Sequence, residues 1–165
     1  MYTYILGDTQ RSRMASPSQQ DKQLRLARTR ARTTVSDIKR CRGAWDQGVK
    51  DGRKHLEEAC NAITRLWMWP RLCSDTLNRC RSLLPFGIKA LRRRYLTAVE
   101  ALRQCYSKLE QQARLMASAL EALKEAIAPV ENRALFTCFA ARDFYKFLTD
   151  VVSPYEEQIQ VWLDA

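Results

Sequence analysis

The feature that most constrains the fold is an uninterrupted heptad pattern between Ile88 and Val130. Apolar residues recur every seven positions in two rows, the second four residues after the first, and neither Pro nor Gly occurs from Ile88 to Ala128. This spacing places both rows on one face of an α-helix about 60 Å long. The pattern predicts a long coiled-coil-type helix with an interface of Tyr95, Val99, Leu102, Tyr106, Leu109, Met116, Leu120, Leu123 and Ile127.

The flank beside these rows indicates what the helix packs against. A two-stranded coiled coil usually carries charged residues at this position, whereas here the flank holds Ala98, Cys105, Gln112, Ala119 and Ala126. Small residues widen the apolar stripe and favour packing against more than one helix. We therefore predict an all-α fold, an elongated antiparallel helical bundle or coiled coil with one long central helix.

An earlier segment, from about Thr34, has a seam of its own. Its apolar residues form one row at seven-residue spacing and a second row four residues on, and we expect both rows to be buried. Three glycines in this segment each weaken a helix by up to about 1 kcal/mol relative to Ala, but they also permit close approach of another backbone. The two rows are Ile38, Trp45, Ala59 and Leu66, with Gly52 at the vacant position, and Val49, Leu56 and Ile63.

Proline positions set the predicted helix limits. Pro70 and the Pro85-Phe86-Gly87 segment are predicted breaks, and Ser153 followed by Pro154 is typical of a helix start. We predict one helical domain over residues 34–165. Its helices are predicted at residues 34–68, 75–84, 88–130 and 139–164, the last with a break or kink near residues 153–154.

Charge divides the chain into a basic first part and a slightly acidic second part. Residues 1–95 carry 21 Lys+Arg and 8 Asp+Glu, a net charge of +13, whereas residues 96–165 carry 7 and 10, a net charge of −3. A basic surface can attract nucleic acid, an anionic membrane surface or an acidic protein, or simply keep a helical protein in solution. The candidates for phosphate contacts are Arg25, Arg28, Arg30, Arg32, Arg92, Arg93 and Arg94.

The first 33 residues lack apolar periodicity and contain several Arg and Ser residues. We therefore predict a disordered basic N-terminal tail over residues 1–33. A transit peptide shares this composition, which leaves organellar targeting open.

The sequence offers no candidate catalytic or metal site. It contains no P-loop, dinucleotide-binding glycine pattern or nucleophile elbow, and its six cysteines include no C-x-x-C pair. The single histidine, His55, lies five positions from Cys60, about 500° of helical rotation, so the two side chains do not face each other. No apolar run is long enough to span a membrane. We expect a non-catalytic protein without cofactor, metal, membrane contact or small-molecule substrate.

The segment after the long helix carries an aromatic pattern, with Leu135-Phe136, Phe139, Phe144-Tyr145 and Tyr155 at fixed spacing. This pattern resembles the C-terminal signature of the cyclin-dependent kinase 2-interacting protein (CINP) family. The shared features are a Leu-Phe pair, an aromatic residue three positions on, a Phe-Tyr pair and a later Tyr. The long helix up to Glu131, and a Trp followed by a Gly at Trp45 and Gly52, are also similar to that family. The similarity covers about residues 34–66 and 95–160. The signature positions are Leu135, Phe136, Phe139, Phe144, Tyr145 and Tyr155.

The chain departs from this family at two places. The family's acidic, Ser-rich linker is replaced by the basic segment Pro70–Phe86, and Pro154 stands where the family has an ordinary helix residue. Partner contacts made through the linker are therefore not carried over to this chain.

The resemblance implies a non-catalytic helical adaptor subunit, nuclear or cytoplasmic. Family members look like components of a complex with AAA+ ATPases and a second small helical protein. That complex acts in maturation of the large ribosomal subunit and is linked to DNA replication and genome maintenance. The residues themselves leave an alternative open, a basic ribosome assembly factor, possible also in an organelle, that binds rRNA through Arg25–Arg32 and Arg92–Arg94.

Overall fold

The computed structural model describes residues 17–76, 84–137 and 139–163, and it confirms the all-α prediction. At 1.5 Å per residue its three α-helices are about 90, 66 and 35 Å long. They are α1 (Pro17–Thr76), α2 (Leu84–Ile127) and α3 (Ala141–Leu163). A 3-10 turn (Ala128–Val130) and two short antiparallel strands, β1 (Ala134–Phe136) and β2 (Phe139–Ala140), connect α2 to α3.

Helices α1 and α2 form a long antiparallel pair. The Thr34 hydroxyl of α1 donates to the carbonyl of Ala119 in α2, at 3.4 Å. Further along α1, Gly48 lies against Leu109. Because residue numbers rise on α1 while they fall on α2, the two helices run in opposite directions.

Helix α3 covers only one end of this pair. Next to its start, Arg28 Nε of α1 donates to the carbonyl of Leu135, at 2.8 Å. Near its end, Trp45 of α1 packs against Tyr155 and Trp162, with ring centroids 5.1 and 6.2 Å apart. Helix α3 therefore runs parallel to α1 and reaches only to about Trp45. The molecule consists of a three-helix bundle and a two-helix arm, which we define as residues 46–76 of α1 and 84–105 of α2.

The bundle core is apolar and draws on the three α-helices, the 3-10 turn and β1. Met116 and Leu123 of α2, Leu135 of β1 and Val152 of α3 have no exposed surface. Full burial of a side chain of this size stabilises a fold by about 1.5–3 kcal/mol. These contacts fix α3 and the short strands on the α1–α2 pair.

The buried rows of α1 differ from the prediction. Ile38 and Trp45 are buried as expected, but Val49, Leu56 and Ile63 are 43%, 53% and 50% exposed, so the predicted second row is wrong. The second buried row lies three residues after the first, on the side that meets α2. Its small side chains let the two helices approach closely, and the larger side chains remain on a flank that a third helix would cover. This row includes Thr34, Cys41, Gly48 and Ala62.

The predicted disordered tail is wrong for residues 17–33, which form the first turns of α1. Residues 1–16 lie outside the described ranges. Ala27 and Ala31 are fully buried and Leu24 packs against the core, so these turns bury one face against the bundle. Small alanines give a weak periodic signal among many arginines. The contacts that order the segment come from residues more than 100 positions away, including Arg28 to Leu135.

Three prolines lie within helices, so the predicted breaks at Pro70 and Pro85 are wrong. At Pro154 the predicted break is absent, and a kink there stays a prediction. Helix α1 continues through Pro70 to Thr76, and α3 is continuous through Pro154. A proline removes one hydrogen bond of the helical ladder, which disfavours a helix without forbidding it, and Pro154 is exposed, so water can solvate the carbonyl left without a partner. Pro85 is the second residue of α2, where its missing N–H has no partner to lose. Most of the predicted helix 75–84 lies outside the described residues.

Candidate interaction surfaces of the two-helix arm

The predicted interface on α2 divides where α3 ends. Its last five members, from Leu109 to Ile127, are buried in the bundle. Its first four are only half-buried, because Tyr95, Val99 and Leu102 lie beyond α3 and Tyr106 lies at its end, beside Trp162. In the arm the buried row shifts to the small-residue flank, at Leu91, Ala98 and Cys105. The arm therefore leaves exposed the face that α3 covers in the bundle.

An apolar groove between α1 and α2 begins at the end of α3. Its volume is about 600 Å³, and among the described residues that line it the charged ones are Arg53 and Arg103. We call this surface the apolar groove. It is defined by Val49, Gly52, Leu56, Leu102, Tyr106 and Trp162.

The end of the groove nearest α3 is aromatic. The Trp162 ring stacks on Trp45 and lies 6.2 Å from the ring of Tyr106, centroid to centroid. The hydroxyl of Tyr106 is buried and has no hydrogen-bond partner among the residues that the structure describes. A buried hydroxyl without a partner destabilises a fold by about 1–3 kcal/mol. The groove therefore begins at the Tyr106 hydroxyl, whose burial destabilises the fold.

The other side of the arm carries a basic cleft. Arg65 lies nine residues after Leu56, and Arg93 nine residues before Leu102, two and a half helical turns in each case. These arginines therefore point away from the apolar groove. We call this surface the basic cleft; its charged and aromatic lining comprises Arg65, Lys89, Arg93, Arg94, Phe86, His55 and Glu58.

Charges in the basic cleft are mostly positive. Four Lys and Arg side chains line it, against the single carboxylate of Glu58. That carboxylate also faces His55, whose Nδ1 lies 3.4 Å from Glu58 Oε2. The cleft can therefore attract an anion, and Phe86, which is 72% exposed, offers a flat apolar surface beside it.

The predicted phosphate-binding arginines do not come together. Arg25, Arg30 and Arg32 are exposed on the bundle part of α1. Arg92–Arg94 lie on the arm, about 50 Å further along the helix pair. Arg28 donates to the carbonyls of Leu135 and Ala134, at 2.8 and 3.5 Å, so its guanidinium contributes to the fold itself.

The residues of the family-like aromatic segment come together in the bundle. Leu135 is buried, and the Phe144 ring packs against Phe136 and Phe139 with centroids 5.2 and 6.4 Å apart. Tyr155 packs edge-on against Trp45. This segment therefore fixes α3 on α1 and α2, and most of it is distant from the arm.

Residues of other kinds of site are scattered. Over residues 17–76, 84–137 and 139–163, no group of three or more His, Cys, Asp or Glu side chains could hold a metal ion. Within those ranges no helix is long and apolar enough to cross a membrane. His55 is in the basic cleft and Cys60 is exposed elsewhere on α1.

The fold defines an all-α protein with a three-helix bundle and a two-helix arm. No family model, curated protein or solved structure matches the chain. The sequence patterns did not reveal the apolar groove, because its position depends on where α3 ends. The exposed row at Val49, Leu56 and Ile63 was visible in the sequence, but was predicted as core.

Proposed function

We propose that this chain is a non-catalytic helical adaptor that binds a protein partner through the two-helix arm. The observation that carries the proposal is the exposed row of Val49, Leu56 and Ile63 beside the apolar groove. Contiguous apolar surface on a soluble domain marks interaction sites, because its burial by a partner is favourable. A helix lying along this face would bury the row, which in the bundle remains exposed at Val35 and Arg42.

The resemblance to the CINP family supplies the cellular context of the proposal. It supports a subunit of an AAA+ ATPase-associated complex that includes a second small helical protein. The activity proposed for that complex is maturation of the large ribosomal subunit, with links to DNA replication and genome maintenance, in the nucleus or cytoplasm. The residues that support this part are the signature positions from Leu135 to Tyr155.

Affinity purification from the native cell, followed by mass spectrometry, tests this function. Leu109 and Leu120 are unsuitable for charge substitution because both are buried in the bundle core. Leu56 is 53% exposed in the groove, and Leu96 is 56% exposed on the arm outside it. We expect AAA+ ATPase subunits to co-purify with the wild type and with Leu96→Glu, and to be lost with Leu56→Glu. Identical partner sets for all three proteins would contradict binding through this face.

RNA binding is the second candidate function, and the basic cleft is the observation that favours it. Arg65, Lys89, Arg93 and Arg94 line a cleft of about 830 Å³ that could attract a phosphate backbone, with Phe86 available for base stacking. If rRNA binds there, affinity falls steeply with salt because phosphate contacts release counterions. Charge reversal at Arg93 and Arg94 should weaken binding, whereas reversal at Arg25 and Arg30 should not. Affinity that ignores both salt and the cleft variant would exclude this function.

A further inference from the structure

We infer that the apolar groove receives an acidic amphipathic α-helix of a partner protein, lying end to end with α3. This inference rests on the proposed adaptor function and specifies the chemistry of its partner. Two independent observations carry it. The first is the continuity of the groove with the surface that α3 occupies, and the second is the charge of the arm.

The groove continues the surface on which α3 packs. Trp162, in the last turn of α3, forms part of both, since it stacks on Trp45 in the bundle and lines the groove. Beyond it, the face of α1 continues at Gly52, one heptad after Trp45, and the face of α2 continues one heptad before the buried Leu109, at Leu102. Gly52 and Leu102 both line the groove without α3 to cover them. A surface that accepts an α-helix over the bundle therefore extends along the arm with similar apolar character.

The side chains at the groove suit an amphipathic helix. Val49, Leu56 and Ile63 repeat every seven residues, which matches the spacing of the apolar face of a helix packed alongside. Gly52 has no side chain, and a Cβ built there would meet only Cys105 Cβ, at 3.9 Å. The groove is therefore deep at Gly52, which leaves room for a large apolar side chain of the incoming helix.

The positive charge of the arm and the groove predicts acidic residues beside the apolar face of the partner helix. The arm, residues 46–76 and 84–105, carries ten Lys+Arg and six Asp+Glu, a net charge of +4, and four of these basic residues line the basic cleft on its other side. Helix α3, which occupies the equivalent position in the bundle, carries Arg142 and Lys146 against four acidic residues, a net charge of −2. At the groove itself the charged residues of the described lining are Arg53 and Arg103, and no carboxylate accompanies them. An acidic helix complements this surface, whereas the arm of a second copy would bring two positive surfaces together.

Peptide binding to the full chain tests the inference. The probe is a fluorescein-labelled peptide of about 21 residues, three heptads with Leu at the two apolar positions and Glu on the flanks. One comparison peptide has Lys in place of every Glu, and another keeps Glu but has Ser in place of Leu. Fluorescence anisotropy at two salt concentrations is measured with the wild type, Leu56→Glu and Leu96→Glu. The two variants change the net charge equally, so they separate groove contacts from overall electrostatics.

An acidic helix in the groove predicts one pattern of peptide affinities. The acidic Leu peptide should bind the wild type and Leu96→Glu with equal affinity, and more weakly at high salt. Leu56→Glu should weaken it by about tenfold or more, because a carboxylate would face apolar side chains. Neither comparison peptide should match it. Equal binding of acidic and basic peptides, an unaltered affinity in Leu56→Glu, or no binding would overturn the inference.

The remaining outcomes separate this inference from the adaptor function. Analytical ultracentrifugation shows whether the chain forms a dimer and whether Leu56→Glu disrupts it. A dimer that this variant disrupts would mean that a second copy occupies the groove, and the inference of an acidic helix would be wrong. If Leu56→Glu removes cellular partners while the acidic peptide never binds, the adaptor function stands and the inference fails. If the peptide binds the groove while the cellular partners are indifferent to Leu56→Glu, the groove chemistry stands and the adaptor function fails.

Discussion

Gly48 of α1 lies directly against Leu109 of α2, and a Cβ built on Gly48 would be 2.8 Å from Leu109 Cδ2. Carbon atoms in contact are normally about 3.5–4 Å apart. The glycine therefore sets how closely the two helices approach at the junction between the bundle and the arm. The next glycine on the same face, Gly52, leaves 3.9 Å to Cys105 Cβ, and Gly43 has nothing within 4 Å.

Alanine substitutions at these glycines should have opposite effects. Gly43→Ala and Gly52→Ala should each raise the free energy of unfolding by about 0.5–1 kcal/mol, because Ala stabilises a helix relative to Gly. Gly48→Ala should lower it by about 1 kcal/mol, because Leu109 is buried and must move to admit the methyl group. Urea denaturation measures all three variants. A gain at Gly48 equal to that at Gly43 would show that Leu109 moves aside freely.

Replacing Tyr106 with Phe should not destabilise the protein. The Tyr106 hydroxyl is buried without a hydrogen-bond partner among the described residues, so its removal takes away a desolvated polar atom rather than a bond. We expect the free energy of unfolding to stay the same or to rise by about 1 kcal/mol. Thermal and urea denaturation give this value. A loss above 1 kcal/mol would mean that the hydroxyl has a partner in solution.

Cys41 should react slowly with alkylating reagents, whereas Cys60 should react quickly. Cys41 is 2% exposed, and burial raises the pKa of its thiol; Asp37 adds to this shift and Arg40 opposes it. Cys60 is exposed on the same helix. Timed iodoacetamide labelling near pH 8.5, with mass spectrometry, should show Cys41 at least about tenfold slower. Equal rates would indicate that the α1–α2 seam opens readily.

The same thiol predicts a loss of stability at alkaline pH. Because the pKa of Cys41 is raised in the folded state, the unfolded chain loses this proton first as pH rises. The contribution to stability is complete below the unfolded-state pKa and is lost as pH rises through the folded-state pKa. Cys41→Ala should make the free energy of unfolding less dependent on pH in that alkaline range than it is in the wild type. Parallel pH profiles for the two proteins would contradict this assignment.

Arg28 should stabilise the first turns of α1. Arg28→Met keeps most of the apolar stem but removes the donors to Leu135 and Ala134, which should cost about 1–3 kcal/mol. Arg32, exposed one turn later, provides the matched control, and Arg32→Met should change stability by less than about 0.5 kcal/mol. Hydrogen exchange over residues 17–28 should become faster only in the first variant. Equal exchange rates in Arg28→Met and Arg32→Met would contradict a structural role for Arg28.

The fold class was predictable because five heptads without Pro or Gly leave few alternatives to a long helix. The same reasoning could not decide which second row of α1 meets α2. A row three residues on and a row four residues on both keep helical spacing, so Gly48 and Val49 are equally consistent with the pattern. Close contact with Leu109 decides between them, and that contact belongs to the tertiary structure.

The candidate site was less predictable than the fold. The half-exposure of Leu102 and Tyr106 follows from the length of α3 and from the strands that turn the chain back after Val130. Neither is encoded in the periodicity of α2, which is the same on both sides of the junction. Similarly, Leu24, Ala27 and Ala31 pack against the bundle only because residues beyond Val130 come back to meet them.

Because α3 ends near Trp162, the bundle and the arm should unfold as two separate cooperative units. In the bundle each long helix has two neighbours, whereas in the arm each has one, so the arm buries less apolar surface per residue. On heating, the arm should therefore lose its structure before the bundle does. A ligand in the apolar groove would raise the first transition and leave the second nearly unchanged. Binding of a ligand in the apolar groove would then be detected by thermal denaturation, because the two melting transitions would merge into one.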